Sequence, residues 1–198
     1  MKHLIILAHP NKNSFNSAIL QQVVDATEKQ GAEVVIRNLY SLNFSPILSW
    51  EELQGSFQGI IPIEVRQEQQ FIRQADLITV IYPLWWMGFP AILKGYWDRV
   101  LTFGFAYQHG EKGSIGLLEG KKLQQFVTVG NNIEAYQAKG FTRSLDDCLI
   151  NGLFNFCGIT DIDYELFGDI HLLNEQQRQD ILFSVAHKTT ENLTALST

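Results

Sequence analysis

The chain has 198 residues, 45% of them hydrophobic and 18% charged, which suits a single packed domain over residues 1–198 and excludes a disordered chain. A net charge of −6 argues against nonspecific nucleic-acid binding, which needs a basic face. The apolar runs are too short to span a membrane, and the N-terminus lacks the cleavage site of a signal peptide, so a cytoplasmic protein is expected.

Strands and helices alternate along the chain. Residues 4–8 are apolar throughout and predict a central parallel strand. A helix over 14–30 follows, with Phe15, Ile19, Val23 and Ala26 at helical spacing and Gly31 as its stop. Residues 33–39 predict a second strand. Residues 40–63 carry Pro46, Gly55, Gly59 and Pro62 and read as a long irregular segment, too apolar to be a solvated linker. A polar helix over 64–75, a third strand over 76–81 and a helix over 91–102 come next. The remaining expectations are a strand over 123–129, an apolar helix over 142–156, a strand over 160–167, and a last helix capped by Asn174. Five strands separated by helices predict a doubly wound parallel sheet with helices on both faces. Right-handed crossovers and a central first strand favour the order 2-1-3-4-5. Cys148 and Cys157 fit no metal or redox spacing and read as small buried hydrophobes.

In that topology the loops after strands one and three meet at a ligand crevice. The first loop holds His9, Ser14, Phe15 and Asn16 ahead of a helix start. These polar groups either cap the helix or hold a phosphate on its N-terminal N–H groups. The loop matches neither G-x-G-x-x-G nor a P-loop. The third loop, with Pro83, Leu84, Trp85, Trp86 and Met87, puts large apolar side chains on a rigid turn, which suits a flat, polar-edged aromatic such as a flavin; the competing reading buries both tryptophans in the core. Phe105 and Tyr107 either cover a helix end or wall a pocket for a planar substrate. Thr128, Val129 and Gly130 offer main-chain N–H groups to a ring edge, and Tyr136 offers a hydroxyl to developing charge; ordinary turn chemistry is the alternative. No nucleophile elbow and no metal-ligand cluster is present, so a cofactor is expected to carry the chemistry.

These residues, above all Pro83-Leu84-Trp85-Trp86-Met87-Gly88-Phe89-Pro90-Ala91-Ile92-Leu93-Lys94-Gly95, together with Ala8-His9-Pro10 and Ser14-Phe15-Asn16, resemble the flavodoxin-like NAD(P)H:quinone oxidoreductases of the DT-diaphorase type. Their bacterial relatives include the modulator of drug activity B proteins and the ancillary reductases of glutathione-gated potassium efflux systems. The resemblance implies a noncovalent FAD, with FMN as the alternative, and NAD(P)H as electron donor. It places His9, Ser14, Phe15 and Asn16 on the phosphate side. Pro83 to Met87 fall along the ring and Thr128, Val129 and Gly130 at its far edge. Arg178 falls near an adenosine phosphate, or is a solvated residue of a polar helix face. It implies a homodimer and a small electron acceptor such as a quinone, reduced by two electrons in a ping-pong hydride mechanism. Phe105, Tyr107 and Tyr136 are then substrate walls, and Tyr136 is the catalytic candidate. Thr142 stands where members with a tyrosine–histidine pair carry the histidine, and the chain lacks the longer C-terminal extension of the vertebrate-type enzymes. Two other readings share the fold: a regulatory flavoprotein subunit of a potassium efflux transporter, and a flavodoxin-type electron carrier.

Overall fold

The structure is a computed structural model that describes residues 1–197. The main sheet contains β1 (Lys2–Leu7), β2 (Glu33–Asn38), β3 (Leu77–Pro83), β6 (Lys122–Thr128) and β7 (Asp161–Phe167). All neighbours are parallel, in the order β2-β1-β3-β6-β7. This is the expected 2-1-3-4-5 arrangement, with a short antiparallel hairpin of β4 (Tyr107–Gly110) and β5 (Gly113–Gly116) inserted before the fourth sheet strand. β3 is buried along its whole length, as a central strand covered on both faces should be.

One face of the sheet packs the larger core, in which Leu4, Val80 and Leu123 meet Leu93, Tyr96 and Trp97 of α4 (Ala91–Val100). The other face packs Ile5, Leu7 and Phe126 against Ile19 and Val23 of α1 (Phe15–Lys29) and Val185 of α8 (Glu175–Ala195). Between this second face and its helices lies a closed polar network. The Thr27 hydroxyl donates to the Val23 carbonyl at 2.7 Å, so it receives its bond from Nδ1 of His3, also at 2.7 Å. Nε2 of His3 is then the acceptor for the Thr79 hydroxyl at 2.5 Å. Thr79 in turn accepts from the Gln124 amide, and Gln124 accepts from Asn192. Every donor has a destination only while the ring is neutral. Burial lowers the His3 pKa from 6.5 to about 3.

Three local expectations change. The 40–63 segment is not irregular throughout: it contains α2 (Trp50–Phe57), opened by a reciprocal capping box between Ser49 and Glu52. It lies on α4, where Gly95 admits Pro46 so closely that a Cβ would meet its carbonyl oxygen at 2.0 Å. Arg99, pairing with Glu52 and Glu64 and donating to the Ser45 carbonyl at 2.9 Å, fastens the same segment. The expected 142–156 helix is three pieces: α6 (Phe141–Leu145), a π-turn over Asp146–Ile150, and α7 (Asn151–Phe156), with a short α5 (Ile133–Ala138) ahead of them. The two cysteines also differ. Cys157 is buried and its thiol is pushed up to about 11 by burial, whereas Cys148 is exposed on the π-turn. α3 (Ile63–Gln74) matches its expectation to within a residue.

Candidate active site

The slot sits at the carboxyl end of the sheet, where the loops after β1, β3, β6 and β7 converge. Its frame is main chain, because the inter-strand ladder continues past the strand ends. Ala8 N–H bonds the Ile81 carbonyl at 3.0 Å, Leu84 N–H the Thr128 carbonyl at 2.8 Å, and Val129 N–H the Phe167 carbonyl at 2.8 Å. The resulting cavity has a volume of about 440 Å³. Of the residues expected to hold a cofactor, His9, Ser14, Phe15, Asn16, Pro83, Leu84, Trp85, Thr128, Val129, Gly130 and Arg178 line it together.

Ser14 is the N-cap of α1, its hydroxyl accepting from the Ser17 N–H at 3.2 Å. The first turn of the helix leaves the Phe15 and Asn16 N–H groups without intrahelical acceptors, at the positive end of the helix dipole. Asn16 is 3% exposed; its carbonyl oxygen accepts from the Thr128 hydroxyl at 2.9 Å, while its amide nitrogen has no partner. A buried donor without an acceptor is costly, and Asn16 lines the slot. Arg178 reaches in from α8: one guanidinium nitrogen donates to the Ile170 carbonyl at 2.8 Å, and the plane lies over Phe15, 5.2 Å from the ring centre. His9 is anchored by the Asn11 N–H, which donates to its Nδ1 at 3.1 Å, and burial lowers its pKa. Its ring lies 6.2 Å from that of Trp85.

Neither tryptophan of the third loop is core. Trp85 to Gly88 form a two-residue hairpin, with reciprocal N–H···O=C bonds of 3.1 and 2.9 Å. Its central residues, Trp86 and Met87, both have positive φ, 51° and 60°. Such turns favour Asn-Gly. Two bulky residues there store on the order of 1–2 kcal/mol each. The turn holds Trp85 at the slot wall and projects Trp86 wholly into solvent, at 101% exposure.

Other expected residues lie elsewhere. Trp86 and Met87 ride the hairpin tip and do not line the cavity. Phe105 is 6% exposed in the larger core, under the guanidinium of Arg73, and does not line the slot. Tyr107 is half-buried between Phe103 and Phe156, at 5.8 and 5.1 Å. Tyr136 is half-buried in α5, edge-on to Phe141 at 5.6 Å, and outside the cavity lining. Thr142 lines a separate hollow of about 490 Å³ beside Tyr164 and Asp146. Sequence reasoning passed over three lining residues: Asn11 in the first loop, and Ile170 and His171, which line the slot from the loop after β7. For the latter two the only signal was topological: a loop after the fifth strand lies beside the loop after the fourth. No group of metal-ligating side chains and no helix long and apolar enough to cross a membrane occurs among the described residues.

A doubly wound parallel sheet with a main-chain slot at its switch point defines a protein of the flavodoxin-like class. The chain belongs to the flavodoxin-like family of NAD(P)H oxidoreductases, the model for the flavodoxin-like fold matching residues 1–190. It is 54% identical to a Haemophilus influenzae protein described as an uncharacterized NAD(P)H oxidoreductase, over 99% of this chain and 98% of that one. It is 33% identical to NAD(P)H dehydrogenase (quinone) 1 of Rattus norvegicus, over 82% of this chain and 67% of the relative. Among solved structures, an NAD(P)H:quinone oxidoreductase from Methanothermobacter marburgensis has a TM-score of 0.83 at 27% identity, covering 96% of this chain and 98% of its own. The general stress protein 14 of Treponema denticola, solved in complex with FMN, has a TM-score of 0.64 at 25% identity, covering 99% of each chain.

Proposed function

We propose that the protein is an NAD(P)H-dependent flavin oxidoreductase that reduces quinones or related electron-poor aromatics by two electrons. The observation that carries the flavin is the Asn16 amide, a buried donor without a partner, set beside the free N–H groups of a helix start and a main-chain edge at Thr128–Gly130. Those groups fit a phosphate-bearing cofactor with a polar ring edge. When bound, the flavin supplies the hydride chemistry. The chain's residues bind and orient. Ser14, Asn16 and Arg178 hold the phosphate side, Trp85 and Leu84 lie along the ring, and Gly130 offers its N–H group to its far edge. We take the cofactor as FAD on the strength of Asn16 and Arg178; the FMN-bound relative supports FMN as the alternative. Donor and acceptor would use the same face of the cofactor in turn.

We also propose a homodimer. Ile47, Trp50, Phe57, Ile60 and Ile63 are all more than half exposed on one stretch of chain, an apolar face that a second copy would cover. Tyr107, Tyr136, Trp86 and Met87, which do not line the slot of their own chain, would complete the substrate pocket in that assembly.

The deciding experiment is purification, a visible absorption spectrum and mass analysis of the released cofactor, followed by NAD(P)H oxidation with a quinone. Yellow protein releasing FAD or FMN, with quinone-dependent turnover, is the expected result. Protein that stays colourless after addition of either flavin would end the proposal.

A further inference from the structure

Reduction of a quinone by NAD(P)H consumes one proton beyond the transferred hydride: NAD(P)H + H⁺ + quinone gives NAD(P)⁺ + hydroquinone. The hydride brings two electrons and one hydrogen; the second hydrogen reaches the quinone oxygen as a proton from solvent. The slot contains few groups able to carry it. The Thr128 hydroxyl is committed to Asn16, and the Ser14 hydroxyl to the cap of α1. Arg178 does not give up a proton near neutral pH. Nδ1 of His9 is taken by the Asn11 N–H, and burial favours its neutral ring. Thr142 lies in the neighbouring hollow.

His171 is different. It stands in the loop between β7 and α8, lines the slot and is exposed to solvent. Its Nε2 lies against Gly130, 3.6 Å from where a Cβ on that residue would be. The imidazole and the main-chain edge of the slot thus stand side by side. Among the described residues, its side chain has no hydrogen bond, ion pair or ring contact. Both ring nitrogens are therefore without a protein partner among the described residues.

Resting on the flavin reading above, we propose that His171 is the proton donor of the acceptor half-reaction, its Nε2 delivering the proton to the quinone oxygen and taking up another from solvent before the next turnover. The N–H bond of the imidazolium breaks as the O–H bond of the hydroquinone forms, and the ring is reprotonated by water.

The test compares wild type with His171→Gln, which keeps a hydrogen-bonding side chain but carries no exchangeable charge. Both proteins, loaded with flavin, are reduced with NADH and mixed with either a benzoquinone, which takes up protons, or ferricyanide, which takes electrons alone. Expected is a loss of roughly 100-fold in the quinone rate, within the range for general acids, with ferricyanide and NADH rates unchanged and partial recovery of the quinone rate on adding free imidazole. In histidine-labelled wild type, the ring signal absent from the variant should also shift when 1-naphthol, a redox-inert stand-in for the acceptor, is added. Equal loss with both acceptors, no loss with either, or an unmoved ring signal would each overturn the proposal. Wild-type protein that retains no flavin would instead defeat the cofactor reading on which it rests.

Discussion

Asn16, Trp97 and Gln125 each bury a side-chain nitrogen without a partner, and of the three only Asn16 lines the slot. Its oxygen is satisfied by Thr128 and its nitrogen by nothing. Replacing it with alanine removes one donor to the cofactor, worth about 1–2 kcal/mol, and so should weaken flavin binding roughly tenfold. Titration of the apoprotein with flavin, followed by fluorescence quenching, checks this; unchanged affinity would move the cofactor away from the helix start. Trp86 presents the opposite case. It buries nothing and sits at a φ of 51°. Trp86→Gly should therefore raise the unfolding free energy by about 1 kcal/mol, read from denaturant midpoints, while lowering turnover if the indole serves the pocket. Neither strain nor orphaned donor could be read in the sequence. Residue types show what can bond, and only the folded chain shows what has been left unbonded.

At the scale of elements, the His3 network makes a specific statement about acid. The folded ring resists protonation until about pH 3, whereas an unfolded chain takes its proton near 6.5. Stability contributed by the neutral ring is complete above pH 6.5 and lost as the pH falls toward 3, at about 1.4 kcal/mol per unit within that window. Urea titrations at pH 7, 6 and 5 should show this slope in wild type, and a shallower one in His3→Asn. The 40–63 segment rests on a different kind of contact. Gly95→Ala would drive a methyl into Pro46 and should cost about 1–3 kcal/mol, with loss of protection from proteolysis confined at first to this segment. The sequence concealed α2 because glycines and prolines surround it and punctuate it like a loop. Its capping pair, Ser49 and Glu52, was the available cue. The four-residue strands of the β4–β5 hairpin are too short for any periodicity, and the π-turn at Asp146–Ile150 breaks a helix whose apolar spacing looks continuous.

At the scale of the whole molecule, the sheet order and the meeting of the first and third loops were legible, because both follow from strand alternation and crossover handedness. The outward face of residues 47–63 was legible only as excess apolarity. Its aromatic continuation, Phe57 to Phe103 at 5.6 Å and Phe103 to Tyr107 at 5.8 Å, needed the fold. If that ridge joins two copies, Phe57→Lys should convert a dimer into a monomer in sedimentation velocity, without loss of helix content. A variant that sediments as wild type would place the contact elsewhere.

The bond from Leu84 to Thr128 has a consequence for divergence. It couples the two banks of the slot through peptide groups, which every sequence possesses. Side chains at the rim are thereby free to change without spreading the banks apart. Descendants of this architecture can exchange one acceptor for another at the tip formed by Trp86 and Met87 while the berth beneath keeps its shape.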